Sequence, residues 1–206
     1  MRLLSTIFFL TFLSTTTNAL PNNYVEFGLG ATQFELAKNL NTSNSSVTPS
    51  PSGKILIGGR LNKSPHFWFE TAYQYNGSFN NTSNDTRLTQ NIKNDTVYKS
   101  HSVTFGLKLT TLPYENFATY ARFGAGINKV FMTTDTLTTD TATSSTTRDS
   151  SSENKSNTTY YGGGGFSFAV NKRSHLNFEY QLINYTIDDT NLSDHVAFMT
   201  YKIFIR

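Results

Sequence analysis

Two places in the sequence pair a histidine with a group that could take part in hydrolysis. Ser102 directly follows His101, and His195 directly follows Asp194. Nucleophilic hydrolysis requires the nucleophile and its base to lie within hydrogen-bonding distance of each other. The two pairs are far apart in the chain, and the other two of the four histidines stand alone. Scattered histidines carry a weak catalytic signal, so the sequence predicts a protein that is not an enzyme.

Four consecutive glycines, Gly162–Gly165, are the second feature that could carry chemistry. A phosphate-binding loop requires the pattern Gly-x-x-x-x-Gly-Lys-Ser/Thr between a strand and a helix, but no lysine follows here and an alternating segment continues. The pairs Gly28 with Gly30 and Gly124 with Gly126 lack the third glycine of a dinucleotide-binding turn. No residues have the spacing of metal ligands. The sequence therefore predicts neither a cofactor nor a metal.

The first residues have the features of an export signal. A positive residue precedes an apolar core at Leu3–Leu13, and small residues precede Leu20. The apolar core is shorter than the ~20 residues that cross a bilayer as a helix. We therefore predict a signal peptide at 1–19, cleaved between Ala19 and Leu20, followed by a single domain at 20–206.

The composition narrows the class of protein further. The chain has 206 residues, no cysteine and a formal net charge of +3. Its basic residues form no stripe of the kind that binds nucleic acid, so no nucleic-acid partner is predicted. A small secreted domain of a eukaryote usually needs disulfides, which favours export from a bacterium. No segment after the signal is apolar enough for a membrane-spanning helix, which excludes a helical membrane protein.

Apolar residues occupy alternate positions in eight segments of the mature chain. Alternation with a period of two predicts strands that have one apolar face. The eight predicted strands lie at about 24–34, 54–61, 66–75, 97–109, 117–131, 160–170, 175–185 and 195–206.

The connections between these strands alternate in length. Short turns are predicted at 62–65, 111–116 and 171–174, and long polar segments at 35–53, 77–96 and 132–158, with a shorter one at 186–194. The long segments contain few apolar residues to bury, so we expect them to be mobile loops. Such loops are uncommon in compact soluble domains. A membrane β-barrel, in contrast, carries long loops on one face and tight turns on the other.

The second face of the predicted strands carries small residues and isolated charges. Its charged members, nearly one per strand, are Glu26, Arg60, Glu70, Lys108, Arg122, Glu179 and Lys202. An eight-stranded barrel is only wide enough for side chains to fill it, so long charged side chains need small neighbours such as Gly163 and Gly165. Buried charges also need partners. We therefore predict that these charges form a network in a narrow lumen.

Aromatic residues cluster near the predicted strand ends. Phe67, Trp68, Phe69 and Tyr98 are examples. Membrane barrels carry girdles of such residues at both interfaces. High β-propensity would account for aromatic residues in strands equally well.

Two segments resemble a known family. TYARFGAGINKV at 119–130 and GGGGFSFAVNKRSHLNFEYQLINY at 162–185 resemble strands of small outer membrane barrels, namely the transmembrane domain of outer membrane protein A and the opacity proteins. The resemblance implies an all-β, eight-stranded antiparallel up-and-down transmembrane β-barrel. It also implies long extracellular loops, short periplasmic turns, periplasmic termini, and contact with outer membrane lipids and lipopolysaccharide. The chain ends in KIFIR, so Phe204 stands before the position where the family usually has a terminal phenylalanine.

Three functions are compatible with these features. The first is adhesion or recognition, in which the segments 35–53, 77–96 and 132–158 contact host or surface ligands. The second is a pore, whose conductance would be low because charges fill the lumen. The third is an enzyme that modifies lipid A, although its candidate residues lie on the fourth and eighth strands, which are not neighbours. A secreted soluble β-sandwich is the alternative outside this class, and it would have an inward apolar face and solvent-facing charges.

Overall fold

The computed structural model describes residues 23–35, 49–61, 64, 66–111, 116–187 and 190–205. These residues form eight β-strands: β1 (Asn23–Gln33), β2 (Ser50–Arg60), β3 (Phe67–Arg87), β4 (Gln90–Thr110), β5 (Phe117–Asp140), β6 (Thr146–Asn171), β7 (Ser174–Ile187) and β8 (Thr190–Ile205). The predicted cleavage site at Ala19 and Leu20 lies outside the described residues. The described part of the chain has no helix long and apolar enough to cross a membrane.

The eight strands form a closed barrel in which each strand pairs with its neighbours along the chain. All pairings are antiparallel, and β1 closes the ring by pairing with β8 from Asn23 opposite Ile205 to Gln33 opposite His195. The predicted eight-stranded up-and-down barrel is thus confirmed. The connections β2–β3, β4–β5 and β6–β7 lie at one end of the barrel, which we call the turn end. The other four connections lie at the opposite end, which we call the hairpin end.

Alternation along each strand gives the barrel an apolar outside and a polar inside. On β1, Phe27 and Leu29 are 48% and 75% exposed, whereas Glu26, which directly precedes Phe27, is fully buried. Neighbouring strands repeat this pattern, with exposed Ile55 and Ile57 flanking buried Leu56. An apolar outward face around a polar interior is the arrangement of a membrane barrel. It is the reverse of the arrangement that a soluble sandwich would require.

Two of the connections predicted as mobile loops are paired strands. β3 and β4 stay paired as far as Arg87 and Gln90, and β5 and β6 as far as Thr139 and Thr146. The prediction of loops at 77–96 and 132–158 was therefore wrong. β5 continues its barrel register against β4 and β6, whereas β3 shifts by one residue against β4 at a bulge between Tyr75 and Gly77. The many threonines of these segments have high β-propensity.

The two hairpins form a single sheet because β4 and β5 also pair with each other up to Gln90 opposite Asp140. We call this four-stranded extension (residues 78–99 and 132–158) the hairpin sheet. The pairing of β2 with β3 ends at Gly53 opposite Tyr75, and the pairing of β6 with β7 ends at Thr159 opposite Tyr185. The hairpin sheet therefore projects from one side of the barrel end.

Two other predicted connections differ in detail. β7 and β8 extend to Ile187 and Thr190, so most of the segment predicted as a connection at 186–194 is strand. The segment at 35–53 lies largely outside the described residues, but β2 begins already at Ser50.

Candidate functional site

The centre of the lumen is occupied by Arg122, which is 1% exposed and contacts three carboxylates. Its Nη2 donates to Glu26 Oε2 at 2.6 Å, its Nε lies 3.0 Å from Glu70 Oε2, and its Nη1 donates to Glu179 Oε2. Arg122 is on β5, and the glutamates are on β1, β3 and β7. Paired buried charges avoid most of the cost of isolated ones, and here the pairing joins four strands across the lumen.

Lys54, which was not among the charges predicted for the lumen, completes this network. Lys54 Nζ lies 2.8 Å from Glu179 Oε1 and 3.8 Å from Glu26 Oε1, and its side chain is fully buried. Lys54 has the same parity as Gly58 and Arg60, so the alternation was sufficient to indicate that its side chain faces inward. The predicted strand began at Lys54, however, and its face was therefore not assigned.

Neutral hydroxyl groups also donate hydrogen bonds to these three carboxylates. Tyr120 Oη donates to Glu179 Oε2 at 3.0 Å, and Thr200 Oγ1 donates to Glu26 Oε1 at 2.7 Å. Tyr24 Oη donates to Glu70 Oε1. Each glutamate of the network thus receives both charged and neutral partners.

Two of the predicted charges lie in the lumen against aromatic rings. Lys108 Nζ is 4.0 Å from Glu70 Oε1 and 3.9 Å from the centroid of the Tyr120 ring. Lys202 Nζ lies 5.3 Å from the centroid of Tyr24 and forms no ion pair with a described residue. A ring face attracts a cation, and this attraction is stronger where water is excluded.

The seventh predicted charge is at the turn end. Arg60 is half-buried, and its Cζ lies 5.0 Å from the centroid of the Trp68 ring. Trp68 is 6% exposed and packs against Tyr24 with a centroid distance of 5.2 Å. Trp68 has the inward parity that alternation predicts for it, opposite to that of Phe67 and Phe69. Tyr98 also faces inward and stacks on Phe79.

Apolar side chains close the lumen on both sides of the charged layer. One buried cluster consists of Val130, Tyr161, Ile183, Tyr185, Leu192, Val196 and Phe198, and the other of Tyr24, Leu56, Trp68 and Ala72. A cavity of about 10 Å³ beside Arg122 is large enough for about one water molecule. The described side chains therefore fill the barrel interior.

Glycines make room for the large lumenal side chains. A Cβ atom at Gly165 would lie 2.9 Å from Tyr120 Oη, and one at Gly163 would lie 2.9 Å from Gln181 Cγ. A Cβ atom at Gly162, in contrast, would meet no atom within 4 Å. Part of the glycine run is thus required by close packing inside the barrel, as the alternation predicted.

The two histidine pairs do not form catalytic pairs. Ser102 is 2% exposed and faces the lumen, whereas His101 faces outward, and Tyr73 Oη lies 2.7 Å from His101 Nδ1. Asp194 is buried and accepts a hydrogen bond from the Glu35 amide, whereas His195 lies outside against Tyr180 Oη. Successive residues of a strand point to opposite faces, so residues adjacent in sequence are separated here.

The hairpin sheet is polar on both faces. Thr96 Oγ1 and Thr134 Oγ1 lie 3.0 Å apart across β4 and β5, and Thr136 Oγ1 donates to Asn94 at 2.8 Å. Arg148 Nη2 donates to Asp135 Oδ2 at 2.8 Å, and this hydrogen bond holds the pKa of the exposed Asp135 carboxyl below its usual value. The sheet is held together by backbone pairing and surface hydrogen bonds instead of an apolar core. Nowhere in the described residues do three or more metal-binding side chains cluster.

A closed ring of eight antiparallel strands, apolar outside and filled with ion pairs inside, defines the class of small outer membrane β-barrels. The chain belongs to the family described as the outer membrane protein beta-barrel domain, whose model matches residues 5–200. The protein is therefore a bacterial outer membrane protein.

The chain is similar to several solved structures. Neisserial surface protein A is similar with a TM-score of 0.50 and 13% identity, covering 92% of this chain and 100% of its own. Ail, the attachment invasion locus protein of Yersinia pestis, has a TM-score of 0.48 and 14% identity over 89% of this chain and 100% of its own. The outer membrane protease OmpT from Escherichia coli has a TM-score of 0.42 and 10% identity over 93% of this chain and 99% of its own. No curated protein matches the sequence.

Proposed function

We propose that this protein is a surface recognition or adhesion protein that contacts its ligands through the hairpin sheet. The observation that carries the proposal is the hairpin sheet itself, in which four strands continue beyond the barrel. In this proposal the hairpin end faces outside the cell, and the turn end and the termini face the periplasm. The signal peptide at 1–19 would direct export.

The chemistry of the hairpin sheet supports contact with a polar partner. Its exposed side chains are mainly threonine, serine and asparagine, with charges of both signs at Lys93, Asp95, Asp135 and Arg148. Such side chains donate and accept hydrogen bonds. Leu88 and Leu137 are the large apolar side chains that the described sheet exposes. Polar host glycans or extended polypeptides have the matching chemistry.

The interior gives no support to the pore. Arg122 and its carboxylates lie across the middle of the lumen, and aromatic side chains fill it on both sides. An eight-stranded barrel has little space beyond that taken by its own side chains. The lipid A enzyme is also less well supported, because each candidate pair has its two members on opposite faces of a strand.

Removal of the hairpin sheet tests the proposal. Asn80, Val97, Thr133 and Ser152 lie in one row across the four strands, so residues 81–96 and 134–151 can be replaced by Asn-Gly turns at the same height. We expect a non-adherent Gram-negative strain displaying the full chain to bind epithelial monolayers, and the shortened variant to bind at the level of the empty vector.

The control is the mobility of both proteins in detergent gels before and after heating, because a folded barrel migrates differently from the unfolded chain. Equal adhesion by two folded proteins would contradict the proposal, as would a full chain that never exceeds the empty vector.

A further inference from the structure

Aromatic rings close the lumen at the turn end on one side only. Tyr24 on β1, Trp68 on β3 and Phe204 on β8 contact one another, with ring centroids 5.2, 5.9 and 6.0 Å apart. On the opposite side, the inward residues of β5 and β6 at the same end are Ala118, Ser167 and Ala169, which are small. The interior is therefore more open between β5, β6 and β7.

A cavity of about 400 Å³ lies at this open side. We call it the turn-end cavity. Its lining includes the small inward residues, the apolar side chains of Phe117 and Val170, and the polar side chains of Asn116, Asn171, Lys172 and His175. Cavities of this size accept small organic molecules, and a mixture of apolar walls and a few polar groups is typical of their sites.

His175 links the turn-end cavity to the interior. Its Nδ1 lies 2.9 Å from Ser167 Oγ on the cavity side, and its ring packs edge-on against Phe204 with a centroid distance of 5.2 Å. Lys202 is directly opposite His175 on β8, and its Nζ lies 4.8 Å from the centroid of the same Phe204 ring. The ammonium group of Lys202 is therefore close to the inner wall of the cavity.

Two lysines at this end of the lumen lack a carboxylate of their own. Lys202 is 5% exposed, and Glu26 opposite it on β1 is bound by Arg122. Lys108 is 1% exposed, and its Nζ has no hydrogen-bond acceptor among the described residues. Buried charges need partners, so these ammonium groups favour an anion nearby.

The charge balance of this end is positive. The charged layer contains more cations than carboxylates, namely Lys54, Lys108, Arg122 and Lys202 against Glu26, Glu70 and Glu179. The turn end adds Arg60, Lys172 and Arg173, and its described residues include no carboxylate. Glu115 lies outside the described residues. A concave site with low-dielectric walls and charge of one sign concentrates ions of the opposite sign.

We propose that the turn-end cavity binds a small organic carboxylate with an apolar body. The carboxylate lies among Lys172, His175 and Ser167, within the field of Lys202, and the apolar body packs against Phe117 and Val170. The ligand is a solute of the compartment that the turn end faces. This site does not depend on the proposed adhesion function.

Two kinds of variant test the charge and the space of the site. Lys172→Gln and Lys202→Gln each remove one positive charge, and Arg173→Gln is the matched control because it removes the charge of an exposed neighbour outside the lining. Ala169→Leu fills the cavity. Gly162→Leu is its control on the same strand, since a Cβ atom there meets no atom within 4 Å.

Binding is measured on the folded chain in phosphatidylcholine nanodiscs through the NMR signals of its histidine rings, with 3-phenylpropionate as the probe. His175 lies at the cavity, whereas His101 and His195 are at the other end of the barrel and report uptake of the probe by lipid. We expect a saturable shift of the His175 signal alone, with binding weakened by on the order of tenfold in the two lysine variants and in Ala169→Leu. Both controls should bind as the original protein does.

The neutral analogue 3-phenylpropanol and inorganic phosphate separate the two parts of the ligand. Equal binding of the alcohol would overturn the role of the charge, and equal binding of phosphate would overturn the role of the apolar body. The cavity is not the site if the His175 signal does not shift, or if His101 and His195 shift with it. Unchanged affinity in both lysine variants, each shown to be folded by heat-dependent gel mobility, would also contradict the proposal.

Discussion

At the scale of single residues, the lumen is organised by one guanidinium. Arg122 contacts Glu26, Glu70 and Glu179 on three other strands, and these glutamates have no other arginine within ion-pair distance among the described residues. Removal of Arg122 would leave three buried carboxylates with only lysine, hydroxyl and amide partners. Removing one partner of a buried ion pair leaves a buried charge without compensation, and this lowers the stability of the folded protein strongly.

We predict that Arg122→Leu lowers the free energy of unfolding by about 3–5 kcal/mol. The measurement is a urea titration of the folded barrel in micelles or bilayers. Arg148→Leu is the control, because its ion pair with Asp135 lies on the exposed hairpin sheet. Similar unfolding midpoints for both variants would show that the lumenal network contributes little to stability.

Alternation in the sequence was sufficient to assign the two faces of most strands, because successive side chains of a strand point to opposite faces. Glu26, Arg122 and Glu179 could be placed inside for this reason, and Gly163 and Gly165 beside them. Their partners could not be predicted, since the pairing of Lys54 with Glu179 depends on the stagger of strands that are distant in sequence. Alternation therefore predicts which charges share the inward face, but it does not predict which of them form ion pairs.

At the scale of elements, the hairpin sheet is the part of the fold that sequence analysis missed. Its strands lack apolar alternation, because neither face of the sheet is buried, and a polar strand cannot be told from a loop by pattern alone. Pairing of β5 with β4 and β6 continues there in the register of the barrel, and β3 resumes pairing with β4 after a one-residue bulge between Tyr75 and Gly77.

Cysteine pairs test this arrangement directly in a chain that contains no cysteine. Thr134 pairs with Ser151, so we predict that Thr134→Cys with Ser151→Cys forms a disulfide on mild oxidation. Thr134→Cys with Thr147→Cys is out of register and should not form one efficiently. Equal cross-linking of both pairs would indicate mobile loops in place of paired strands. Gel mobility with and without reductant is the measurement.

At the scale of the whole molecule, the barrel is a closed ring of strands whose interior is filled by side chains. The barrel has no free edge around its circumference, since β1 pairs with β8 along its whole length. Inside it, charges and aromatic rings occupy the space that a channel would need. The barrel thus holds the hairpin sheet in place, and its described side chains leave little free space inside.

We predict that the purified protein produces no stable conductance steps in planar bilayers. The protein must first be shown to be folded by heat-dependent gel mobility, and a porin prepared in the same detergent serves as the positive control. Reproducible steps from the folded protein would contradict a closed lumen and restore the pore hypothesis.

The pairing of β4 with β5 has a consequence for how this surface can change over generations. The tips of the two hairpins end at the same height, with Gln90 opposite Asp140. Residues inserted in one hairpin alone could pair within that hairpin, but they would lie beyond the pairing of β4 with β5. Replacement of exposed side chains, or an insertion at the tip between Thr141 and Ser145, would therefore disturb the pairing of β4 with β5 least.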